Sequence, residues 1–574
     1  MHDLLIKGGK IVDGSGSEAF MGDLAIDAGK IAAIGKINGS AKRTINADGQ
    51  LVTPGWVDMH THYDGQVTWD PYLSPSSWHG CTTVIMGNCG VGFAPVRPTD
   101  HRALMKLMEG VEDIPEIALD EGLKWNWETF PDFLDAIEDM PRVLDVGIQI
   151  AHGPVRVYVM GERGAKNEAS TAEDIAEMRG IVREALEAGA LGFSTSRFLG
   201  HRSSDGEPVP GSFANGDEIA GILDAFVDAG TGFFQIVAGG GIDQEDLYAN
   251  VKKYATEHKI PMSMNLAQVN ESPDSYRRAL NWFDELAEQG APVFGLVSGR
   301  TTGVLMCIEG TVHPFKDRPT FKQIANLPFA ERIAELSNPE VKEKILSESP
   351  TSKDEWWLTM LKELKDTFDL GDPPEYEPPH EKSLGYLAKQ TGTTVESLAY
   401  DIMLSKGGKG MIYYPLFNYS YGNMDPVLEM LEHPRTVLGL SDGGAHCGVI
   451  CDVSMPTYML THWARDRKRG RRISLEQAVK CQTSETARTY GLLDRGMLKP
   501  GYRADVNVID FDSLKIHAPQ IVYDLPAKGR RLVQKASGYT TTICNGEVIF
   551  EDGEATGAMP GRVLRGTQET PSPN

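Results

Sequence analysis

Two histidines separated by one residue end an apolar run, and their spacing could place two metal ligands side by side. The segment 51–62 reads LVTPGWVDMHTH. Residues two apart in a β-strand point to the same side, so His60 and His62 would present their imidazole rings together. Imidazole nitrogen is a common ligand of zinc and related metals. The pair therefore predicts a metal site; the alternative is that two of the chain's 14 histidines are close by coincidence.

Three further strand-like runs end in side chains that could bind a metal or transfer a proton. Cys89 follows the run 82–86 between glycines that allow close backbone approach, although cysteine is also a common small core residue. Asp442 follows the run 436–440. An aspartate there could bind a metal and accept a proton from an activated water, or it could simply form a turn before two glycines. His152 follows a third run of this kind.

These runs belong to a repeated alternation of strand-like and helical patterns, which is typical of an α/β fold with a TIM-like (β/α)8 barrel. We expect the eight strands at 57–62, 82–86, 146–150, 190–194, 232–237, 261–266, 292–297 and 436–440. In such a barrel, catalytic groups gather at the carboxyl ends of the strands. The residues that follow the first, second, third and eighth runs would therefore meet at one end of the barrel.

The regions outside the barrel predict a sandwich and an insertion. The first residues alternate polar and apolar types in short pieces, and a similar texture returns after Gly496, so we expect a small β-sandwich built from both termini. The long stretch between the seventh and eighth runs indicates an insertion that either covers the site as a lid or extends along the surface. The predicted division is 1–52 for the N-terminal half of the sandwich, 53–300 for barrel strands 1–7, 301–433 for the insertion or lid, 434–496 for barrel strand 8 and the following helices, 497–560 for the C-terminal half of the sandwich, and 561–574 for a tail.

Composition excludes several classes of partner. The chain has 80 acidic and 56 basic residues, and its net charge of -24 would repel nucleic acid and anionic membranes. No run approaches the ~18 apolar residues of a membrane span, and the first residues do not form a secretory signal. The seven cysteines contain no Cys-x-x-Cys pair, which favours a reducing compartment. We therefore expect a cytoplasmic protein with a small-molecule partner, and we expect it to form a homo-oligomer.

Five motifs along the chain resemble those of the amidohydrolase superfamily and, within it, of the N-acyl-D-amino-acid deacylase family. They read DLLIKGG near the start, PGWVDMHTH at 54–62, GNCG at 87–90, SDG at 441–443 and KPGYRAD at 499–505. The resemblance implies a zinc site whose ligands are His60, His62, Cys89 and Asp442, with Asp442 acting as general base and then as acid. It implies hydrolysis of a non-peptide amide, most simply deacylation of an N-acyl amino acid or a related acyl or aryl amide.

The chain departs from the deacylase pattern after strands five and six, where the family carries further histidine ligands. The corresponding segments read FFQIVAG at 233–239 and SMNLAQV at 263–269. Strand four, GFSTSR at 192–197, has no lysine of the kind that other amidohydrolases carboxylate. Three or four ligands still suffice for one catalytic ion with an open position, so one zinc ion is favoured over two.

Several residues are candidates for holding substrate or for supporting the ligands. The deacylases bind the substrate carboxylate with a lysine after strand six, where this chain offers Gln268, so an arginine from a neighbouring strand end is a candidate for that role. An aromatic loop at 411–423 could form a wall of the pocket, and histidines at strand ends could support the ligands. The candidates are His152, Arg197, Gln268, Arg300, Tyr419 and His446.

Two other functions remain open at this stage. The same metal could serve a hydrolase or lyase that acts on a lactone, a cyclic imide or another carbonyl substrate. A barrel without metal could instead persist as a binding or assembly protein. Amide hydrolysis would be distinguished by the release of a free amine, and the metal-free alternative by metal analysis.

Overall fold

The computed structural model describes residues 1–239, 244–353, 355–439 and 441–572. Its strands are β1 (His2–Ile11), β2 (Phe20–Asp27), β3 (Lys30–Gly35), β4 (Ala41–Asn46), β5 (Leu51–Pro54), β6 (Trp56–Asp58), β7 (Cys81–Met86), β8 (Asp145–Ala151), β9 (Gly192–Arg197), β10 (Phe233–Ala238), β11 (Met262–Leu266), β12 (Val293–Ser298), β13 (Thr302–Met306), β14 (Phe368–Asp369), β15 (Ile412–Phe417), β16 (Thr436–Gly439), β17 (Val506–Ile509), β18 (Lys515–Ile516), β19 (Gln520–Val522), β20 (Arg531–Val533), β21 (Ala536–Ser537), β22 (Tyr539–Cys544), β23 (Glu547–Glu551), β24 (Glu554–Ala555) and β25 (Val563–Leu564).

The helices connect and cover these strands. They are α1 (His101–Glu112), α2 (Glu116–Gly122), α3 (Phe130–Glu138), α4 (His152–Met160), α5 (Glu162–Ala165), α6 (Ala172–Ala188), α7 (Gly216–Ala229), α8 (Glu245–Glu257), α9 (Ser275–Glu288), α10 (Pro319–Ile324), α11 (Phe329–Leu336), α12 (Pro339–Ser347), α13 (Glu355–Lys362), α14 (Leu384–Thr391), α15 (Val395–Gly408), α16 (Asp425–Leu431), α17 (Met455–Tyr458), α18 (Leu475–Cys481) and α19 (Ser484–Thr489). A π-helical segment, Met459–Asp466, follows α17. Across the four described stretches, no helix is long and apolar enough to cross a membrane.

Eight parallel strands form the predicted barrel. They pair in the order β6, β7, β8, β9, β10, β11, β12 and β16, and an isolated parallel bridge between Thr61 and Gly443 joins the two ends of this row. A cluster of apolar side chains draws on strands far apart in the row, including Val57 of β6, Phe233 of β10 and Leu296 of β12. Because strands from opposite sides can meet only inside a barrel, these side chains fill its interior.

Two boundaries differ from the predicted strands in ways that affect the site. The first strand ends at Asp58, so His60 and His62 lie in the loop that follows rather than within the strand. The fourth strand begins at Gly192 and continues to Arg197, which is its last residue. The last predicted residue of the eighth strand, 440, lies outside the described residues, and that strand is described over Thr436–Gly439.

The two termini build one sheet beside the barrel, as predicted. Its strand order is β24, β23, β22, β17, β5, β1, β2 and β3, with β4 also paired to β1. The sheet is mostly antiparallel, but β1 pairs in parallel with β4 and with β5. The halves join where β5 runs antiparallel to β17, with Val52 opposite Val508. Residues from both halves share one apolar core, which includes Leu4, Leu24, Val506 and Ile543.

The segment between β12 and β16 forms a three-stranded sheet and several helices with an apolar core of their own. The sheet has the order β13, β15, β14, and the core includes Phe315, Trp357 and Tyr400. This segment contacts loops at the carboxyl ends of the barrel strands: Leu305 N–H donates to the Val449 carbonyl at 2.7 Å. It therefore lies over the end of the barrel at which catalytic groups gather.

Two further segments are anchored to this frame. Arg467, in the basic stretch after the π-helical segment, is buried and donates to both carboxylate oxygens of Glu377, at 3.1 and 2.9 Å, and to Asp425 at 2.8 Å. This arginine therefore holds the insertion to the barrel. At the C-terminus, β25 pairs in parallel with β8, so the predicted tail packs against the barrel.

Candidate metal centre

A strained turn after β7 positions Cys89. Gly87, Cys89 and Gly90 all have positive φ, at 82°, 56° and 73°. A Cβ added to Gly87 would meet the Gln149 carbonyl oxygen at 2.1 Å, so only glycine fits there. Asn88 holds the turn by donating to the carbonyls of Thr61 and Ile85, at 3.1 and 2.9 Å. The Gly-Asn-Cys-Gly motif is therefore a shaped turn that fixes its thiol beside the loop that follows β6.

Backbone hydrogen bonds join the loop after β6 to the loop after β16. The N–H of Asp442 donates to the His60 carbonyl at 3.1 Å, and the N–H of His62 donates to the Gly443 carbonyl at 2.8 Å. Asp58 supports both loops, because it accepts from the His60 N–H at 3.1 Å and from the Ser441 hydroxyl. Asp442 itself has a φ of 50°, a conformation that is uncommon outside glycine and that concentrates at functional sites.

These two connections bring four possible ligand atoms together. The Nε2 of His60 lies 3.2 Å from the Sγ of Cys89 and 3.5 Å from the Oδ1 of Asp442. The Nε2 of His62 lies 3.8 Å from the same sulfur and 3.7 Å from the same oxygen. His60, His62 and Cys89 each offer one atom within 4.8 Å of the others. The structure thus brings together the four residues predicted as ligands.

The four separations from the histidine Nε2 atoms to the thiol and to the carboxyl, 3.2 to 3.8 Å, are close to those expected around one zinc ion. Among the described residues, the group whose ligand atoms all lie within 4.8 Å of one another is His60, His62 and Cys89, and Asp442 adjoins this group through the two histidines. Zinc bonds of ~2.0–2.1 Å to nitrogen or oxygen and ~2.3 Å to sulfur, at tetrahedral angles, put neighbouring ligand atoms about 3.3 to 3.6 Å apart. His60 and His62 are each 1% exposed and Cys89 is 6% exposed, whereas the Asp442 side chain is 17% exposed. The donor set is therefore a largely dry group of two imidazoles, a thiol and a carboxyl, with access from the side of Asp442.

Burial controls the protonation of these groups. It lowers the pKa of His60 to about 3 and lowers the pKa of His62 well below its usual value, so both rings are neutral. Burial also raises the pKa of the Cys89 thiol and of the Asp442 carboxyl well above their usual values. Neutral imidazoles can bind a metal without losing a proton. The thiol and the carboxyl must each release a proton when a metal binds.

Two further groups were not identified from the sequence: Glu112 contacts the centre, and His201 is near enough to influence the ligand histidines electrostatically. Glu112, the last residue of α1, is 1% exposed, and its Oε1 lies 3.2 Å from the Nδ1 of His62. Its signal in the sequence is a glutamate on the apolar face of an amphipathic helix, four and eight residues after Met108 and Leu104. His201 follows β9, and burial lowers its pKa to about 3. It could have been found by extending the search a few residues past each strand end.

His446, one of the predicted supporting residues, does lie at the centre. Its Nε2 is 3.7 Å from the Oε2 of Glu112 and 4.0 Å from the Oδ2 of Asp442. Its side chain keeps 23% of its exposure, and its φ is 52°. His446 is thus the histidine at this centre that faces outward from the ligand group.

His152 and Arg197 are committed to other partners. The two ring nitrogens of His152 are each 2.8 Å from a partner, Thr195 Oγ1 and Glu218 Oε1, so neither is available to the metal centre. Arg197 forms an ion pair with Asp246 at 2.7 Å and is 5% exposed. Both residues stand at strand ends as predicted, and both help to build the wall of the barrel there.

Arg300, Tyr419 and Gln268 lie in contact with the insertion or at its edge. Arg300 is fully buried, pairs with Asp452 at 2.8 Å, and stacks 3.6 Å from the ring centre of Tyr376. Tyr419 donates its hydroxyl to a carbonyl of the insertion, that of residue 378, and is 8% exposed. Gln268 accepts from the N–H of residue 420 at 3.0 Å through Oε1, while its Nε2 is buried without a hydrogen-bond partner.

An amide pair stands beside Cys89 where strands five and six lack histidines. The N–H of Cys89 donates to the Oε1 of Gln235 at 3.2 Å. The Nε2 of Gln235 in turn donates to the Oδ1 of Asn265, also at 3.2 Å. Neutral amide groups hydrogen-bonded to each other and to the backbone are weak ligands for zinc compared with imidazole or thiolate. This side of Cys89 therefore provides support for the turn.

Comparison with known proteins agrees with this architecture. The model of the "Amidohydrolase family" matches residues 43–550. The D-aminoacylase of Alcaligenes xylosoxydans xylosoxydans is 27% identical over 573 residues, which cover 98% of each chain. The N-acyl-D-aspartate deacylase of the same organism is 26% identical, over 98% of this chain and 95% of the other.

A solved structure shares the fold along the whole chain. The crystal structure of N-acyl-D-glutamate deacylase from Bordetella bronchiseptica, complexed with zinc and a phosphonate inhibitor, has 24% identity and a TM-score of 0.64. The match covers 98% of this chain and 99% of that one. Since the family model spans most of the sequence and the fold agrees from end to end, the chain belongs to the amidohydrolase family.

Proposed function

We propose that this protein is a zinc-dependent amidohydrolase that removes the acyl group from an N-acyl amino acid or a related acyl or aryl amide. The observation that carries the proposal is the buried group of His60, His62 and Cys89, with the Asp442 carboxyl next to both histidines. Two relatives that match 98% of the chain are named D-aminoacylase and N-acyl-D-aspartate deacylase, which supports the same reaction class.

The donor set suits zinc. A thiolate with two imidazoles and a carboxylate is a borderline-soft set that zinc accepts readily, and it disfavours calcium and magnesium. A zinc ion held there would polarise the scissile carbonyl. It would also lower the pKa of a water molecule, which would make that water a better nucleophile near neutral pH. No lysine or arginine is described in contact with the ligand atoms, so a cation would compensate the negative charge of the ionised thiol and carboxyl.

Asp442 is suited to carry a proton between the water and the leaving group. Its Oδ1 faces the Nε2 atoms of both histidines, while its Oδ2 lies on the side of His446. We infer that Oδ2 accepts the proton of the attacking water and then delivers it to the amide nitrogen as that nitrogen leaves. His446, 4.0 Å from this oxygen and partly exposed, would lie beside the reacting group and could donate a hydrogen bond to it.

We propose one ion rather than two. A second ion next to Cys89 would need ligands on the side of β10 and β11. Gln235 and Asn265 occupy that side and are engaged with each other and with the Cys89 backbone. Glu112 lies on the other side of His62, so its carboxyl and that of Asp442 do not face one point together with the thiol.

The structure defines the part of the substrate that leaves as the amine less closely than it defines the reaction. Arg300 already has a carboxylate partner in Asp452, and Arg197 has one in Asp246, so each would have to exchange that partner for a substrate carboxylate. Gln268 keeps an unused amide donor and remains the candidate that could contact a substrate without breaking an ion pair. We therefore propose a substrate that is recognised by its acyl or aryl group at least as much as by a carboxylate.

We also propose that the insertion, 301–433, is a cover for the site. Its Thr311 hydroxyl donates to Asp113, next to Glu112, at 2.9 Å, and its Asn418 accepts from the Gln268 N–H at 2.7 Å. A cover of this kind excludes water from the reacting amide. Hydrogen exchange in this segment should slow when a substrate analogue binds.

Location and assembly follow as separate proposals. All seven cysteines are buried and free, which suits the reducing conditions of the cytoplasm. The homo-oligomer expected from the sequence stays a prediction, and light scattering of the purified protein measures it directly.

The experiment that tests the function is a search for a released amine. The zinc-loaded protein is incubated with N-acyl amino acids of both configurations and with simple acyl anilides, and free amine is quantified with an amine-reactive dye. We expect amine release that stops when zinc is removed with a chelator and returns when zinc is added. The matched control is Asp442→Asn with its zinc content measured in the same preparation.

Two outcomes would contradict the proposal. A product that carries a new carboxylate but no free amine would indicate lactone or imide opening instead of amide hydrolysis. Activity that is indifferent to the chelator, in a sample shown to contain no zinc, would remove the metal from the mechanism. In either case the centre would need another role.

A further inference from the structure

A buried carboxylate that pairs with no lysine or arginine among the described residues lies behind one of the proposed histidine ligands. Glu112 ends α1 and lies on its buried face, in line with Leu104 and Met108, four and eight residues earlier. Its side chain is 1% exposed, and both of its carboxylate oxygens are buried without a hydrogen bond among the described residues. A buried carboxylate costs free energy unless it has a function or a partner. The described ion-pair contacts of its carboxyl are with two histidines, His62 and His446.

Glu112 lies behind His62 as seen from the other ligands. The Nε2 of His62 faces Cys89 and Asp442, whereas its Nδ1 is the atom 3.2 Å from Glu112 Oε1. A neutral imidazole carries one proton, so a lone pair on Nε2 for a metal requires the proton on Nδ1. The carboxylate that faces Nδ1 would accept that proton in a hydrogen bond and so select the tautomer that binds metal.

Glu112 also reaches His446 by two routes. The N–H of His446 donates to the Glu112 carbonyl, and the Nε2 of His446 lies 3.7 Å from Glu112 Oε2. His446 has a φ of 52°, and the backbone contact helps to hold this uncommon conformation. Glu112 thus contacts the Nδ1 side of His62 and also contacts His446, the histidine beside Asp442.

We propose that Glu112 is a positioning residue of the metal centre, which orients His62 and fixes its tautomer without itself binding the ion. The proposal rests on the metal centre of the proposed function. It extends that centre by a residue from a helix, outside the strand-end motifs from which the ligands were predicted. A carboxylate with this role strengthens metal binding by raising the basicity of the histidine and by holding its ring in place.

The chain offers a matched control in the next residue. Asp113 is also a carboxylate at the end of α1, but it accepts from the Thr311 hydroxyl at 2.9 Å and from the Gly448 N–H at 2.7 Å. Replacing it with asparagine would disturb the same helix end and its contact with the insertion. Such a change leaves the carboxylate behind His62 in place.

The test compares Glu112→Gln with Asp113→Asn and the full-length wild type. Each protein is stripped of metal, and its affinity for zinc is measured by competition with a chromophoric chelator. We expect Glu112→Gln to bind zinc about 10- to 100-fold more weakly than the wild type, and Asp113→Asn to bind within about twofold of it. With cobalt(II) in place of zinc, the visible spectrum should change in Glu112→Gln and stay unchanged in Asp113→Asn.

A second readout separates positioning from a general role in folding. Glutamine has nearly the shape of glutamate and no charge to bury, so the melting temperature of metal-free Glu112→Gln should equal or exceed that of the metal-free wild type. A residue that merely supported the fold would instead lower this temperature. Loss of zinc affinity without loss of metal-free stability is the expected signature.

The outcomes against the proposal are distinct from failure of the metal centre. If the wild type binds zinc and Glu112→Gln binds it equally well, Glu112 does not position the ligand. If both variants lose the same affinity, the effect belongs to the helix end, and the proposal is again overturned. If the wild type does not bind zinc, the centre itself is absent, and the proposal falls with it.

Discussion

Removing one imidazole from the centre should abolish its metal at ordinary zinc concentrations. Small structural zinc sites bind with about 10–16 kcal/mol, so each of four ligands supplies roughly 2.5–4 kcal/mol. At about 1.4 kcal/mol for each tenfold change, His60→Ala should weaken zinc binding about 60- to 700-fold. His60 is chosen because its Nε2 is closest to both the sulfur and the carboxylate, at 3.2 and 3.5 Å.

Elemental analysis after dialysis against a zinc buffer measures this change. We expect about one equivalent of zinc in the wild type, consistent with a four-ligand site, and much less than that in His60→Ala. His258→Ala is the matched control, because His258 is exposed at the end of α8 and precedes β11, at the opposite end of the barrel. That variant should keep the zinc content of the wild type.

Two results would refute this reasoning. Full zinc content in His60→Ala, at a zinc concentration that only just saturates the wild type, would place the ion elsewhere. Two equivalents in the wild type would show that the amide pair Gln235 and Asn265 does not prevent a second ion from binding. Melting curves of the metal-free variants exclude a trivial loss of fold, because the missing ring also leaves a cavity in a buried site.

Three other predictions concern the proton carrier, the acidity of the ligands and the anchor of the insertion. Asp442→Asn should lower kcat for amide hydrolysis about 10²- to 10⁴-fold, as expected for loss of a general acid and base, when the assay contains enough zinc to fill the weakened site of the variant and zinc analysis verifies that it is filled. Because burial raises the pKa of Cys89 and Asp442, zinc must displace protons from both, so its affinity should rise with pH by about two powers of ten per unit near neutrality. Cys89→Ser should reduce that slope by about one proton, and an equal slope in the variant would count against the thiol as a ligand. Glu377→Gln leaves the buried guanidinium of Arg467 without its bidentate partner and should cost about 3 kcal/mol in urea unfolding, whereas an unchanged midpoint would show that this pair does not hold the insertion.

The grouping of the four residues proposed as metal ligands could be predicted from the sequence because they follow the strand-end rule of barrels. His60, His62, Cys89 and Asp442 each lie within a few residues of the end of a parallel strand, and each is of a type with high affinity for zinc. The expected alignment of the two histidines along one strand was wrong, because that strand ends at Asp58. His60 and His62 face the same point because their loop is bonded to Gly443, since the strand that was expected to align them ends earlier.

His446 was predicted as a supporting residue, but the role of Glu112 and the partners of Arg300 and Arg197 could not be predicted because they depend on how other elements dock. Glu112 reaches the centre only because α1 folds back over it, and no local pattern states where a helix ends relative to a barrel. Arg300 and Arg197 stand at strand ends as required for substrate contact, yet each meets an aspartate from a loop or helix far along the chain. Long-range pairing of this kind has no signature in spacing or periodicity.

The contact between the loops that follow the first and last barrel strands also determines when, during synthesis of the chain, the centre can form. Asp58 and Ser441, which join the two loops, are 383 residues apart. Since ribosomes add about 5–20 residues per second, roughly 20 to 80 s separate the synthesis of the two sides. During that time the nascent chain carries two histidines and a cysteine but lacks the aspartate and the loop that align them. Completion of the centre therefore waits for synthesis of the last barrel strand and the loop that follows it, and a chain that stops before that strand cannot form the centre.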